Sequence, residues 1–97
     1  MKETSDVSNK YYTYILYSLK DGGYYIGFTS NLKLRLREHA KGSVESTKLR
    51  TPFKLIHYEY FINEDDAKAR EKFLKSGFGR EQLRNILKRT ILSMNSF

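Results

Sequence analysis

Ninety-seven residues, 39% of them hydrophobic and including eight Tyr and six Phe, suffice for one domain with one modest core and are too few for two. The lack of cysteine excludes disulfides and thiolate zinc sites. No apolar run approaches bilayer-spanning length, and the polar start MKETSDVSNK does not read as a signal peptide, so a cytoplasmic protein is expected. A formal net charge of +7 favours a polyanionic partner, with nucleic acid the commonest choice.

Residues 1–10 are polar and are expected to form a frayed N-terminal tail. From Tyr11 to Leu19, β-branched and aromatic residues dominate, which reads as a strand. Lys20-Asp21-Gly22-Gly23 is a turn signal, and Tyr24 to Phe28 is the returning strand. If Leu19 opposes Tyr24, even positions before the turn face odd positions after it. Tyr14, Leu16 and Ser18 then share a sheet face with Tyr25, Gly27 and Thr29. A one-residue slip would separate Tyr14 from Tyr25. Gly27 leaves a bare patch on that face, where a ligand or another backbone can come close.

Asn31 is the expected N-cap of a helix that runs to about Lys41 and stops at Gly42. Leu32, Arg35, Leu36 and His39 fall at i, i+3, i+4 and i+7, which puts a cation and an imidazole on the apolar face. Lys33, Arg37 and Lys41 form a basic outer stripe. Residues 43–52 are polar, carry Lys48 and Arg50, and read as a loop. Phe53 to Ile62 is a third strand, and its continuous apolar content suggests a central or well-covered position.

Asn63 with Glu64-Asp65-Asp66 marks the start of a second helix, which runs to about Ser76 and ends at Gly77. Ala67, Glu71, Leu74 and Phe78 fall on its inward face, and Lys75 is among its outer cations. A third helix from near Arg80 has Leu83, Ile86, Leu87, Thr90 and Ile91 as its apolar stripe, and residues 93–97 are expected to form a C-terminal tail.

Should both of the first two helices cover the tyrosine face, five groups converge: Tyr14, Tyr25, Arg35, His39 and Glu71. Such a set suits phosphodiester hydrolysis. A lone carboxylate is a poor zinc site but an adequate Mg²⁺ anchor, because Mg²⁺ keeps most of its waters and takes phosphate oxygens as further ligands. Arginine offers a bidentate fork to the phosphate. A tyrosine serves as base only if its proton is drawn away, which His39 could do; His39 could also be the base itself. Each residue also has a purely structural reading. The tyrosines could be strand aromatics, Arg35 could pair with Glu71, His39 could cap its helix, and Glu71 could pair with Lys75 at i+4.

The spacing sharpens this reading. Tyr25-Ile26-Gly27 is preceded, eleven positions before its tyrosine, by Tyr14 of Tyr12-Thr13-Tyr14. Asn31 to His39 reads N-L-x-x-R-L-x-x-H, and Glu71 lies in AKAREKFLK. On these residues the chain resembles the GIY-YIG nuclease domain over about residues 11–92. The likeness is strongest to small standalone bacterial members often described as excinuclease-like domain proteins. The resemblance implies an α+β fold, a three-stranded antiparallel sheet flanked by helices. It also implies a Mg²⁺-dependent (or Mn²⁺-dependent) endonuclease hydrolysing DNA, with structure-selective repair or recombination among its roles.

Carried onto this sequence, the resemblance makes Tyr14 the general base or its partner, and Tyr25 a positioner of water or phosphate. Arg35 would bind the scissile phosphate, His39 would orient or relay to the tyrosine, and Glu71 would hold the metal. Lys33, Arg37, Lys41, Lys48, Arg50 and Lys75 are the candidate DNA-backbone contacts. The motif's Gly and Ile are here Tyr12 and Thr13, and Phe28 stands where repair-type members often carry a lysine. For the family's late asparagine the candidate is Asn85. The expected partners are DNA and a protein supplying specificity, with no membrane. Two alternatives stand beside the enzyme: a nucleic-acid-binding module with weak or no cleavage, and a protein-interaction domain on a nuclease fold.

Overall fold

β1 (Tyr11–Ser18) and β2 (Tyr24–Thr29) form a hairpin that leads into α1 (Leu32–Ala40). The chain returns as β3 (Phe53–Phe61) and finishes with α2 (Glu64–Leu74), α3 (Gly77–Ile86) and α4 (Lys88–Met94). This is a computed structural model that describes residues 9–94. The strands form one antiparallel sheet in the order β2-β1-β3, so the fold is the expected α+β. β1 is hydrogen-bonded on both sides and buried from Thr13 to Ser18, as a central strand should be.

The hairpin closes as its turn residues require. Gly22 takes φ +73°, and the Asp21 carboxylate accepts from the Gly23 N–H at 2.8 Å. Tyr17, rather than Leu19, opposes Tyr24, and Tyr14 opposes Gly27. The pairing is thus offset by two residues from the expected one. A two-residue offset leaves every side chain on its expected face, so Tyr14 and Tyr25 do share one.

The opposite face holds the core. Ile15 and Ile26 pack with Leu74 of α2, Leu83 of α3 and Leu87, and Ile56 joins them from β3. The Thr13 hydroxyl, on that same face, donates to the Ala67 carbonyl of α2 at 2.7 Å. α1 instead lies on the tyrosine face, against Leu16 and Leu55. The two helices therefore do not both cover the tyrosine face; they sandwich the sheet.

Three further expectations are corrected. β3 is an edge strand, not a central one, and its Tyr58 and Tyr60 are 50% and 52% exposed. Tyrosine counts as apolar in a sequence pattern, yet its hydroxyl lets it stand half in water. The second helix ends at Leu74, and Ser76 caps a new helix that begins at Gly77, its hydroxyl accepting from the Gly79 N–H. Phe78 therefore leaves the inward face and is 84% exposed. Gly79 lies so close to the Phe73 carbonyl that no side chain fits there, which allows the tight α2–α3 turn.

The expected third helix is two helices, broken at Leu87, and its Ile86 faces solvent while Leu83 and Leu87 are buried. α4 continues through Met94, so Ser93 and Met94 are helical rather than tail. The rest of the expected tails, residues 1–8 and 95–97, lies outside the described residues.

Candidate active site

Tyr14 is central to the site. Its ring lies directly over Gly27, where an added Cβ would come within 2.5 Å of Tyr14 Cζ and Oη. The bare patch expected at Gly27 is thus filled from within, by the cross-strand tyrosine. The Tyr14 hydroxyl and His39 Nε2 are 2.8 Å apart, and both residues are only 1% exposed. α1 sets that contact. Asn31 caps it by accepting from the Leu34 N–H, and His39, two turns later, turns inward over β1. The Tyr25 ring completes an aromatic triad, 5.1 Å from the His39 ring and 6.2 Å from that of Tyr14.

The second His39 nitrogen reveals a residue that sequence reasoning missed. Nδ1 lies 2.8 Å from the hydroxyl of Thr47, which is wholly buried in the α1–β3 loop. The Thr47 hydroxyl proton points to the Val44 carbonyl at 3.5 Å. Its oxygen is then left to accept from Nδ1–H, and Nε2 becomes the acceptor for the Tyr14 O–H. No periodicity marks one threonine in a polar loop. The available signal was chemical: a buried imidazole has two nitrogens to satisfy.

Electrostatics agree with this proton arrangement. Burial holds His39 below the ordinary histidine pKa, the Arg35 cation adds to this, and Glu38 opposes it. Burial pushes Tyr14 up to about 12, opposed by the nearby Arg35 guanidinium and reinforced by Tyr25 and Glu71. At neutral pH the pair is a phenol donating to a neutral imidazole.

Arg35 pairs with Glu38 at 2.9 Å, not with Glu71, and its side chain is about one third exposed beside Tyr14. Glu71 comes from α2, on the other side of the sheet. Its Oε2 accepts from Lys75 Nζ at 3.0 Å, the i+4 pairing. It nevertheless lies within electrostatic reach of the Tyr14 hydroxyl. Tyr14, Tyr25 and His39 are thus in contact, Arg35 stands beside them, and Glu71 stands at the margin. Asn85 is exposed on α3 and is not part of the group.

Among the described residues no cluster of three or more His, Asp or Glu could cage a metal. The donor set at Glu71 is one hard carboxylate. That fits an ion of the Mg²⁺ type, which retains waters and takes phosphate oxygens, and does not fit a dedicated protein cage. Of the candidate DNA contacts, Lys33, Arg37 and Lys41 are exposed on α1. Lys48 is paired with Glu45 at 3.2 Å, Arg50 with Asp21 at 2.8 Å, and Lys75 with Glu71.

Comparison with known proteins agrees with this geometry. Residues 10–85 match the family model of the GIY-YIG catalytic domain. A UPF0213 protein of Clostridium perfringens is 35% identical over 85 residues, covering 87% of this chain and 90% of that protein. One from Limosilactobacillus reuteri is 36% identical over 83 residues, covering 82% and 85%. A solution NMR structure of a UPF0213 protein from Bacillus halodurans aligns with a TM-score of 0.51 at 34% identity, over 79% of this chain and 84% of that one. The paired tyrosine strands, the helix carrying Arg35 and His39, and the later Glu71 all fall within the matched span, and the chain belongs to the GIY-YIG catalytic domain family as one of its small UPF0213-type members.

Proposed function

We propose that this protein is an endonuclease that hydrolyses DNA phosphodiester bonds with the aid of a divalent metal, Mg²⁺ or Mn²⁺, held by Glu71. The observation that carries the reading is the Tyr14 hydroxyl poised on His39 Nε2 at 2.8 Å, with Arg35 beside it. A buried phenol is by itself a poor base. Coupled to an unprotonated Nε2, it accepts a proton from the attacking water as its own proton passes to His39. The resulting imidazolium keeps its Nδ1–H on Thr47. Because burial disfavours a charged imidazole, the proton is readily returned after the step.

Arg35 binds the scissile phosphate through its planar fork. Its exposed pairing with Glu38 costs little to exchange, roughly 0–1 kcal/mol for such surface pairs. The same holds for the release of Glu71 from Lys75. The Tyr25 ring holds the imidazole in place and borders the water position. When bound, the metal supplies positive charge for the leaving oxygen. Lys33, Arg37 and Lys41 track the DNA backbone, with Lys48, Arg50 and Lys75 joining once their acidic partners are exchanged. The catalytic unit spans residues 11–92. Repair or recombination of branched DNA in the cytoplasm, with a protein partner adding specificity, is inferred from the family likeness.

A DNA-binding module with little cleavage is the second reading. It is favoured by Lys75 on the Glu71 carboxylate and by the burial of Tyr14. Incubation with branched, nicked and linear DNA in Mg²⁺ or in EDTA separates the two. The expected result is cutting in Mg²⁺, none in EDTA, and a loss on the order of 100-fold in Glu71→Gln and Arg35→Ala. Binding without cutting on every substrate would leave the module reading standing.

A further inference from the structure

The tyrosine face of the sheet is only half covered. α1 lies over Leu16, Phe53 and Leu55 through Leu36, His39 and Ala40. Beyond Leu36 an open groove of about 520 Å³ separates the start of α1 from the sheet. Lys10, Tyr12, Asn31, Lys33 and Tyr58 are among the residues that line it, and none of the described lining residues is acidic. Pairing sets Tyr58 opposite Tyr14 and Tyr60 opposite Tyr12, so all four rings stand on one face. The Tyr12 ring lies 5.9 Å from that of Tyr58 and 5.7 Å from that of Tyr60. Glu59, between the two exposed tyrosines, turns to the other face, where Arg70 and His57 hold its carboxylate.

An exposed row of tyrosines flanked by lysines, with the neighbouring acid turned away, matches the two surfaces of a polynucleotide strand. Lysines meet its phosphates, and aromatic faces meet its bases. Only unpaired bases can stack in this way, because in a duplex each base face is already taken by its neighbours. Tyr58 is one strand spacing, roughly 5 Å, from Tyr14, so a strand on this surface leads into the Arg35 site. We propose that Tyr12, Tyr58 and Tyr60 form a stacking platform for unpaired bases of a DNA strand, with Lys10 and Lys33 on its backbone. The inference rests on the endonuclease reading for the position of the scissile phosphate. It names the substrate class: DNA with a single-stranded segment at the cut, as in a flap or fork, rather than uninterrupted duplex.

The test is fluorescence anisotropy in EDTA with a short labelled oligothymidylate and with a blunt duplex of equal length. The unaltered protein is compared with the Tyr58→Ala/Tyr60→Ala and Tyr58→Phe/Tyr60→Phe variants. The alanine pair is expected to weaken single-strand binding about tenfold or more, with duplex binding within about twofold and the phenylalanine pair close to the unaltered protein. Unchanged single-strand affinity in the alanine pair overturns the proposal, as does an equal loss in the phenylalanine pair. A second measurement needs no variant: tyrosine emission of the unaltered protein is quenched by oligothymidylate and not by duplex, and absence of that difference overturns the platform. Run without metal, both measurements read the platform whether or not strands are cut. Absence of cleavage by the unaltered protein in Mg²⁺ defeats the endonuclease reading alone.

Discussion

Tyr14 and Thr47 occupy opposite nitrogens of one buried imidazole, each 2.8 Å from His39. One residue comes from the central strand and the other from an irregular loop. Together they determine where the imidazole carries its proton, and so whether Nε2 can receive one from Tyr14.

Thr47 is therefore expected to matter beyond packing. Thr47→Val keeps the shape and removes the oxygen, leaving Nδ1–H buried without a partner. A stability loss of about 1–3 kcal/mol in urea titration is expected, with a shift of the His39 tautomer visible in ¹⁵N NMR. Thr47→Ser should restore both. An unaltered tautomer in the valine variant would show that Thr47 does not set it.

The buried pair predicts a two-sided pH dependence of stability. His39 has a folded pKa below its unfolded value, so the unfolded chain binds the proton first as pH falls. Its contribution is complete above the unfolded pKa, near 6.5, and is lost as pH drops below it. Tyr14 has a folded pKa of about 12 against 10.0 unfolded, so the unfolded chain loses its proton first as pH rises. Its contribution is complete below 10 and declines above that. Urea midpoints measured across pH should fall on both sides, with the alkaline fall reduced in Tyr14→Phe and the acid fall reduced in His39→Gln.

Gly27→Ala tests whether the family glycine serves the ring above it. The new methyl would come within 2.5 Å of the Tyr14 ring and hydroxyl. Overpacking of this kind costs about 1–3 kcal/mol. The displaced phenol should leave His39 and titrate closer to 10, as phenolate absorbance would report. A folded variant whose Tyr14 still titrates near 12 would show that the ring does not need the glycine.

The cations divide into two sets. Lys33, Arg37 and Lys41 are exposed along α1, whereas Lys48, Arg50 and Lys75 have acidic partners. Replacing the α1 trio with alanine should reduce the slope of log K against log salt for duplex binding by about 2–3. Replacing the paired trio should change it less. Equal effects would mean that the ion pairs open fully on DNA.

What the sequence determined by itself was local or periodic. The hairpin, the Asn31 and Asn63 caps and the α1 face carrying Arg35 and His39 follow from turn chemistry and helical spacing. The shared face of Tyr14 and Tyr25 followed from parity alone, which survives a two-residue offset. Tertiary structure decided the rest. Which face α2 covers depends on how the hydrophobic stripes of three helices share one sheet, and it puts Glu71 at the margin of the site rather than inside it. The edge position of β3 depends on pairing partners far along the chain, and it leaves Tyr58 and Tyr60 open. Thr47 became visible only when its loop folded over His39, because a hydrogen bond between a loop hydroxyl and a helix imidazole leaves no period in the sequence.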